Sequence, residues 1–216
     1  MHVFIVGVTG AVGSLLAHEL VARGDTVSGL VRHPAQRDEL VTSGVTAGVG
    51  DLTLLSPGDL APMIAYADAI VFTAGAGGGG TQATTAIDRD GVVKLIDAAH
   101  LTSVPPRFVL VSVFPEAWRE RNLGPGFDHY IRVKKEADVA LTKSKLSWVI
   151  LRPSALQDDP GRGTVALGPA EIHDEITRAD VAATLAAIVH EPRISQKILE
   201  VTAGTTPIDR AVASAI

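Results

Sequence analysis

Three groups of residues in this 216-residue chain have the types and spacings of a chemical site. The first is Gly7-Val8-Thr9-Gly10-Ala11-Val12-Gly13, between the apolar run His2–Val6 and a segment with Val12, Leu15, Leu16 and Leu20 at helical spacing. In a strand–turn–helix context each glycine has its own use. Gly7 permits a tight turn, Gly10 lets backbone amides approach a pyrophosphate, and Gly13 lets the helix lie close on the strand. Paired phosphates would then meet the helix N-terminus, where unpaired N–H groups and the dipole favour negative charge. The pattern predicts a bound dinucleotide. Its alternative is a tight turn that the glycines allow for its own sake.

The second group lies at the ends of later strands. Where an NAD enzyme usually sets an acidic side chain against the ribose hydroxyls, this chain has Leu30-Val31-Arg32-His33. Arg32 suits the 2′-phosphate of NADP in a charge-assisted contact, with Arg37 as a second cation. A solvated arginine is the plainer alternative. NADP is therefore the expected cofactor, with NAD second. Gly50-Asp51-Leu52 is placed to meet adenine through the Asp51 carboxylate and nearby backbone, and Asp51 suits a turn equally well. Ala74-Gly75-Ala76 brings small residues to a strand end where a ribose can lie against the backbone, whereas Gly78–Gly80 reads as plain loop.

The third group is Tyr130 and Lys134, four residues apart and so on one helix face, with Ser112 at a strand end. An ammonium beside the phenol would lower the tyrosine pKa toward a range useful for proton transfer to a carbonyl oxygen. Ser112 would orient that carbonyl while the cofactor supplied hydride. Each residue has a plainer role: a small strand-end residue, a half-buried aromatic, a lysine that only holds ribose hydroxyls.

These groups need a scaffold that brings strand ends together. Strand-like runs at His2–Val6, Thr26–Val31, Val45–Val49, Ala69–Thr73, Arg107–Ser112, Trp148–Arg152 and Lys197–Val201 alternate with helix-length amphipathic segments, the last being Arg178–Glu191. Several are almost wholly apolar, as strands covered on both faces should be. The expected fold is α/β, a Rossmann doubly wound parallel sheet in three αβα layers. It forms a single domain over 1–216 with a substrate-side excursion around 157–176, rich in Gly, Pro and Asp. Ser56-Pro57-Gly58-Asp59 reads as a helix start, and Pro62 predicts that this helix is short or kinked.

Composition narrows the function. A net charge of -5 argues against a nucleic-acid surface. The absence of cysteine excludes disulfides, thiolate metal sites and thiol nucleophiles. The histidines, numbering 7, form no HExxH or HxxxH pair, so no metal is expected. No apolar run approaches the roughly 20 residues of a membrane span, and no signal-like N-terminus is evident, so a cytoplasmic protein is expected. The expected partner is a small-molecule substrate, with no nucleic acid or membrane, and the chain is expected to be a monomer or homodimer.

Beyond the glycine loop, the segments Asp88-Arg89-Asp90-Gly91-Val92, Tyr130/Lys134, Leu151-Arg152-Pro153 and Ile176-Thr177-Arg178-Ala179-Asp180-Val181-Ala182 resemble the atypical short-chain dehydrogenase/reductases. Among them the chain is most similar to the small NAD(P)-binding group called NmrA-like or NAD-dependent epimerase/dehydratase-like. The resemblance runs through Leu199-Glu200-Val201-Thr202. It implies that Gly7, Thr9, Gly10, Ala11 and Val12 line the pyrophosphate and Arg32 the adenosine phosphate. It also implies that Asp51 and Leu52 meet adenine, that Ala74, Gly75 and Ala76 meet ribose, and that Lys134 and Pro153 take the nicotinamide side. Ser112, Tyr130 and Lys134 fit the group's catalytic trio. The leading expectation is an NADP-dependent oxidoreductase acting on a small carbonyl, quinone or flavin-like acceptor. Its rival is a non-catalytic NADP-binding redox sensor. A nucleotide-sugar epimerase or dehydratase is disfavoured because the excursion is short.

Overall fold

The first strand shows how the sheet is built. In β1 (His2–Val6) alternate side chains point to opposite faces, so Val3 and Ile5 enter one apolar layer while Phe4 and Val6 enter another. The same alternation divides the core of the whole molecule. The computed structural model describes residues 1–118 and 121–216.

The chain continues through α1 (Ala11–Ala22), β2 (Thr26–Val31), α2 (Pro34–Thr42), β3 (Val45–Val49) and α3 (Pro57–Ile64). β4 (Ala69–Phe72), α4 (Gly80–Thr84), a π turn (Thr85–Arg89) and α5 (Asp90–His100) follow. Then come β5 (Arg107–Val111), α6 (Pro125–Thr142), β6 (Trp148–Pro153), β7 (Ala155–Gln157), β8 (Thr164–Gly168) and β9 (Glu175–Thr177). The last elements are α7 (Arg178–Val189), β10 (Lys197–Ala203), β11 (Thr206–Pro207) and α8 (Ile208–Ser214).

The main sheet has 9 strands in the order β11-β8-β10-β6-β5-β4-β1-β2-β3. From β3 to β10 every pairing is parallel, and the order reverses direction between β1 and β4. One face is covered by α1, α7 and α8, whose Leu16, Leu20, Leu185, Ile188 and Val212 pack on Val3, Ile5, Val71 and Val149. The other is covered by α3, α5 and α6, whose Leu60, Ile64, Leu95 and Leu141 pack on Phe4, Phe72, Phe108 and Ile150. This is the expected doubly wound Rossmann arrangement. Among the described residues no helix is long and apolar enough to cross a membrane.

Each expected strand is present: β1, β2 and β3 have the expected bounds, and the C-terminal ends of β4, β5, β6 and β10 differ by one or two residues. The excursion is the larger difference. Its middle, Thr164–Gly168, pairs antiparallel with Glu200–Ala203 and extends the main sheet. Glu175–Ile176–Thr177 pairs with Ala155–Leu156–Gln157 in a separate ribbon. The apolar stretch Val165-Ala166-Leu167 is too short for a strand signal between glycine-rich flanks. The buried Asp180 carboxylate fastens this segment, accepting the Arg162 and Gly163 amides at 3.0 and 2.8 Å and the Thr177 hydroxyl at 2.9 Å. As expected from Pro62, α3 is short, at 8 residues.

Candidate functional site

A doubly wound sheet gathers the loops after its strands at one edge, and the reversal between β1 and β4 opens a crevice there. Gly7 turns out of β1 at φ +91°, and a Cβ on it would stand 2.7 Å from the Ala74 nitrogen. A Cβ on Gly13 would stand 2.1 Å from the Gly7 carbonyl oxygen. Only glycine lets the β1–α1 turn press on the end of β4 and the helix press on the turn. The result is a cleft of about 480 Å³, and Gly7, Thr9, Gly10, Arg32, Asp51, Leu52, Ala74, Gly75 and Ala76 all line it.

At the floor of this cleft α1 begins with no side-chain cap and no acidic residue in its first turn. Side chains cap α3, where Ser56 and Asp59 bond each other's backbone amides, and α7, where Thr177 accepts the Asp180 amide, whereas α5, α6 and α8 like α1 are not so capped. The amide end of α1 is left open toward a concave, glycine-walled space, which fits a pyrophosphate. Ala11, Val12 and Gly13 do not line the cleft, and the Val12 side chain is buried in the core beneath. The Val12 side chain therefore cannot reach a pyrophosphate, and what Ala11 and Val12 offer at the helix start is their backbone.

The adenosine end is equally defined. Gln36 Oε1 accepts the Arg32 and His33 amides at 3.2 and 3.0 Å and fixes the end of β2. Among the described residues the Arg32 guanidinium has no hydrogen bond or ion pair, while Arg37 is paired with Asp38 at 3.1 Å outside the cleft. Asp51 serves both readings: it lines the cleft and its Oδ1 accepts the Thr53 amide and hydroxyl at 2.8 and 2.7 Å. Those bonds, helped by the Arg32 and Lys94 charges, hold its carboxyl below the usual range. Lys94 Nζ donates to the Leu52 and Thr53 carbonyls, which anchors this loop from α5.

Beyond Ala76 two further cavities continue the groove. One of about 530 Å³ lies between Gly75–Gly78 and Asp88, Phe127 and Tyr130. The next, about 380 Å³, is lined by Ser112, Phe114, Trp118, Phe127, Tyr130, Pro153, Gln157, His173 and Arg178 among others. Tyr130 and Phe127 belong to both, so the groove runs from Arg32 to Arg178 past the Tyr130 ring.

Lys134 departs from the expected arrangement. Its ammonium is buried, donates to the Val111 carbonyl at 2.8 Å and stands 3.7 Å from Asp88 Oδ1. Asp88 Oδ2 in turn accepts the Ala76 amide at 3.1 Å. Lys134 thus ties β5 to the loop after β4 from below and lines none of the three cavities. Burial lowers its pKa and raises that of Asp88, each opposed by the partner's charge. The Tyr130 phenol is pushed up to about 12, by burial first and by the Asp88 charge second. The expected phenol lowered by a neighbouring ammonium is therefore corrected: the lysine charge is spent on Asp88, and Tyr130 is a neutral phenol at ordinary pH. Among the described residues its hydroxyl makes no hydrogen bond, and its ring leans on Phe127 with centroids 6.2 Å apart.

A second buried network lies behind Ser112. Arg152 Nη2 donates to Asp138 Oδ2 at 2.9 Å, and Arg152 Nη1 approaches Glu200 Oε1 at 3.9 Å. Burial raises the Asp138 carboxyl, and the neighbouring Ser112 and Arg152 oppose the rise. Yet neither Ser112 Oγ nor Asp138 Oδ1 has a partner in hydrogen-bond geometry among the described residues. Such orphaned groups are rare in folded proteins. Sequence reasoning missed Asp88, Gln36, Asp138 and His173. Asp88 carried a usable signal, because it falls four residues before Val92 on the apolar stripe of Val92, Leu95 and Ile96.

With the geometry in place, comparisons with known proteins extend it. A family model described as NAD(P)H-binding matches residues 7–192. The chain is 34% identical to the uncharacterized sugar epimerase YhfK of Bacillus subtilis, over 98% of this chain and 99% of that one. It is similar to the crystal structure of a putative NAD-dependent epimerase/dehydratase from Bacillus halodurans, with TM-score 0.89 and 33% identity over 99% of each chain. The oxidoreductase ylbE from Lactococcus lactis superposes with TM-score 0.84 at 30% identity, covering 99% of this chain and 96% of that one. The resemblance to the epimerase/dehydratase-like group thus has a counterpart in whole-chain similarity.

Proposed function

The chain belongs to the NAD(P)H-binding family, and on that premise we propose that it is an NADP-dependent oxidoreductase reducing a small carbonyl, quinone or flavin-like acceptor. The observation that carries this reading is the uncapped start of α1 facing a glycine-walled cleft whose far end holds Arg32, which has no ion pair among the described residues. The α1 amides and Thr9 would hold the pyrophosphate, and Arg32 the 2′-phosphate. The backbone of Ala74–Ala76 would support a ribose, held in place by Asp88. When bound, the reduced nicotinamide supplies a hydride, two electrons with one proton. Ser112 lines the acceptor cavity, and its Oγ, buried and without a hydrogen-bond partner among the described residues, would have to turn toward the cavity to donate to the acceptor oxygen. The hydride would go to the acceptor's electrophilic atom, the carbon of a carbonyl, and Tyr130 would give the oxygen its proton, for which the neutral phenol is the competent form.

The size of the acceptor cavity disfavours the epimerase chemistry named for two relatives. The acceptor cavity is about 380 Å³ with aromatic walls, at the small end of ligand sites, and suits a single ring system better than a nucleotide sugar. NADPH absorbance followed against a panel of quinones, flavins and aldehydes tests the reading. Consumption with at least one acceptor is the expected result. If NADP binds and no acceptor is reduced, the chain is a redox sensor instead. Calorimetry with all four nicotinamide dinucleotides that recorded no heat would remove the cofactor itself.

A further inference from the structure

The composition of the 380 Å³ cavity differs from that of the molecule around it. The chain carries 24 acidic and 19 basic residues, yet among the described residues those lining this cavity include Arg178 and no Asp or Glu. Its side walls are rings. His173 meets Phe114 edge-on at 5.1 Å and Trp118 edge-on at 5.0 Å, and Phe127 and Tyr130 close the opposite side. Trp118 is held at φ +53°, a conformation a bulky side chain rarely takes, with the Arg121 guanidinium 4.7 Å above its ring. Such geometry sets an indole where a flat ligand would slide in. Arg178, at the first position of α7, is engaged among the described residues by Asp158 alone, at 2.7 Å, and the Asp158 side chain is 86% exposed. An exposed pair of this kind contributes little and is readily exchanged.

We propose that this cavity selects a flat aromatic or conjugated substrate bearing an acidic group, which takes the Arg178 guanidinium from Asp158. The proposal rests on the reading that the nicotinamide end of the cofactor lies beside Ser112 and Tyr130, and it adds the class of acceptor. The ring would lie among Phe114, Trp118 and Phe127 with its reducible oxygen toward Ser112. The acid would reach the positive end of α7, where guanidinium and helix dipole act together. No covalent step is involved in the recognition.

Calorimetry of the NADP+-loaded protein with 2-naphthoate and with 2-naphthamide, the same ring with a charged and a neutral head, isolates the charge. Naphthoate is expected to bind roughly tenfold more tightly. Asp158→Asn removes the competing carboxylate on an exposed side chain, and should tighten naphthoate about two- to fivefold while leaving naphthamide unchanged. Arg178→Gln should bring the two ligands within about twofold of each other. Equal affinities in the unaltered protein, no binding by either, or a preference that survives Arg178→Gln each overturn the proposal. Failure of the cofactor reading has a separate signature, the absence of NADP+ heat, and the naphthoate comparison then still decides when run on the cofactor-free protein.

Discussion

The two ends of the groove use charge in opposite ways. At the adenosine end the fold leaves charge-binding groups open: the α1 amides are uncapped and Arg32 has no partner among the described residues. Beneath the Tyr130 end the buried charges are consumed within the protein, Lys134 by Asp88 and Val111, Arg152 by Asp138 and Glu200, while Arg178 at the outer wall, paired with exposed Asp158, is left exchangeable. A charge exposed to a concave space costs little to keep and gains most when a ligand arrives. A buried charge must be paired at once, because desolvation costs more than an empty site can return. The difference separates residues that await a ligand from residues that hold the walls apart.

The strongest way to break this comparison is at Lys134. Lys134→Met leaves Asp88 buried without its counter-ion and should cost about 3–5 kcal/mol in urea unfolding. The double variant with Asp88→Asn should recover part of that loss, since no lone charge remains. A stable Lys134→Met protein with weakened cofactor binding would instead return Lys134 to the role of a ribose ligand.

Tyr130 gives the next largest effect. Tyr130→Phe should lower kcat about a hundredfold and leave NADP affinity within about twofold. The phenol holds its proton until pH approaches about 12, so the donor form is fully present at neutral pH and is lost only as pH rises toward that value. Hence kcat should show no limb due to Tyr130 between neutrality and pH of about 10. A limb near neutral pH that disappears in Tyr130→Phe would mean a lowered phenol after all, and the two ends of the groove would be less different than argued.

At the adenosine end the effect is one of selectivity. Arg32→Asp places a negative charge where the 2′-phosphate would lie, and should weaken NADPH about ten- to a hundredfold while changing NADH by about twofold at most. Equal losses for both, measured by calorimetry, would defeat the phosphate assignment and leave Arg32 a solvated strand-end residue.

The same contrast explains what could be read from the residues alone. Gly7, Gly10 and Gly13 are local signals: a turn and a helix start lie within seven positions, and the strand pattern around them is unbroken. Arg32 and Asp51 follow because each ends a legible strand. That Asp88 is buried was legible from its place on an apolar stripe, but that it pairs with Lys134 was not, because the two lie 46 positions apart and no local spacing joins them. Helical spacing placed Tyr130 and Lys134 on one face, which holds, but which charge an ammonium answers to is settled by packing. The walls of the acceptor cavity are the least legible of all. Phe114, Trp118 and His173 come from two separate loops, and ring contacts across loops leave no periodicity in the sequence.

The smallest effect sharpens the comparison most cheaply, because it uses two helix starts in one molecule. In α3 Ser56 Oγ accepts the Asp59 amide at 3.2 Å while Asp59 Oδ2 accepts the Ser56 amide at 2.9 Å, so this helix supplies its own cap. Ser56→Ala should therefore cost about 1 kcal/mol of stability, read from thermal or urea unfolding, with NADP affinity unchanged. At α1 the cap is absent, and the ligand is expected to take its place. Added NADP should then raise the unfolding midpoint of the Ser56→Ala protein by as much as it raises that of the unaltered chain, since the two helix ends are independent. A smaller rise in the variant would show that α3 is coupled to the cleft, and that the open start of α1 is not by itself what the cofactor stabilises.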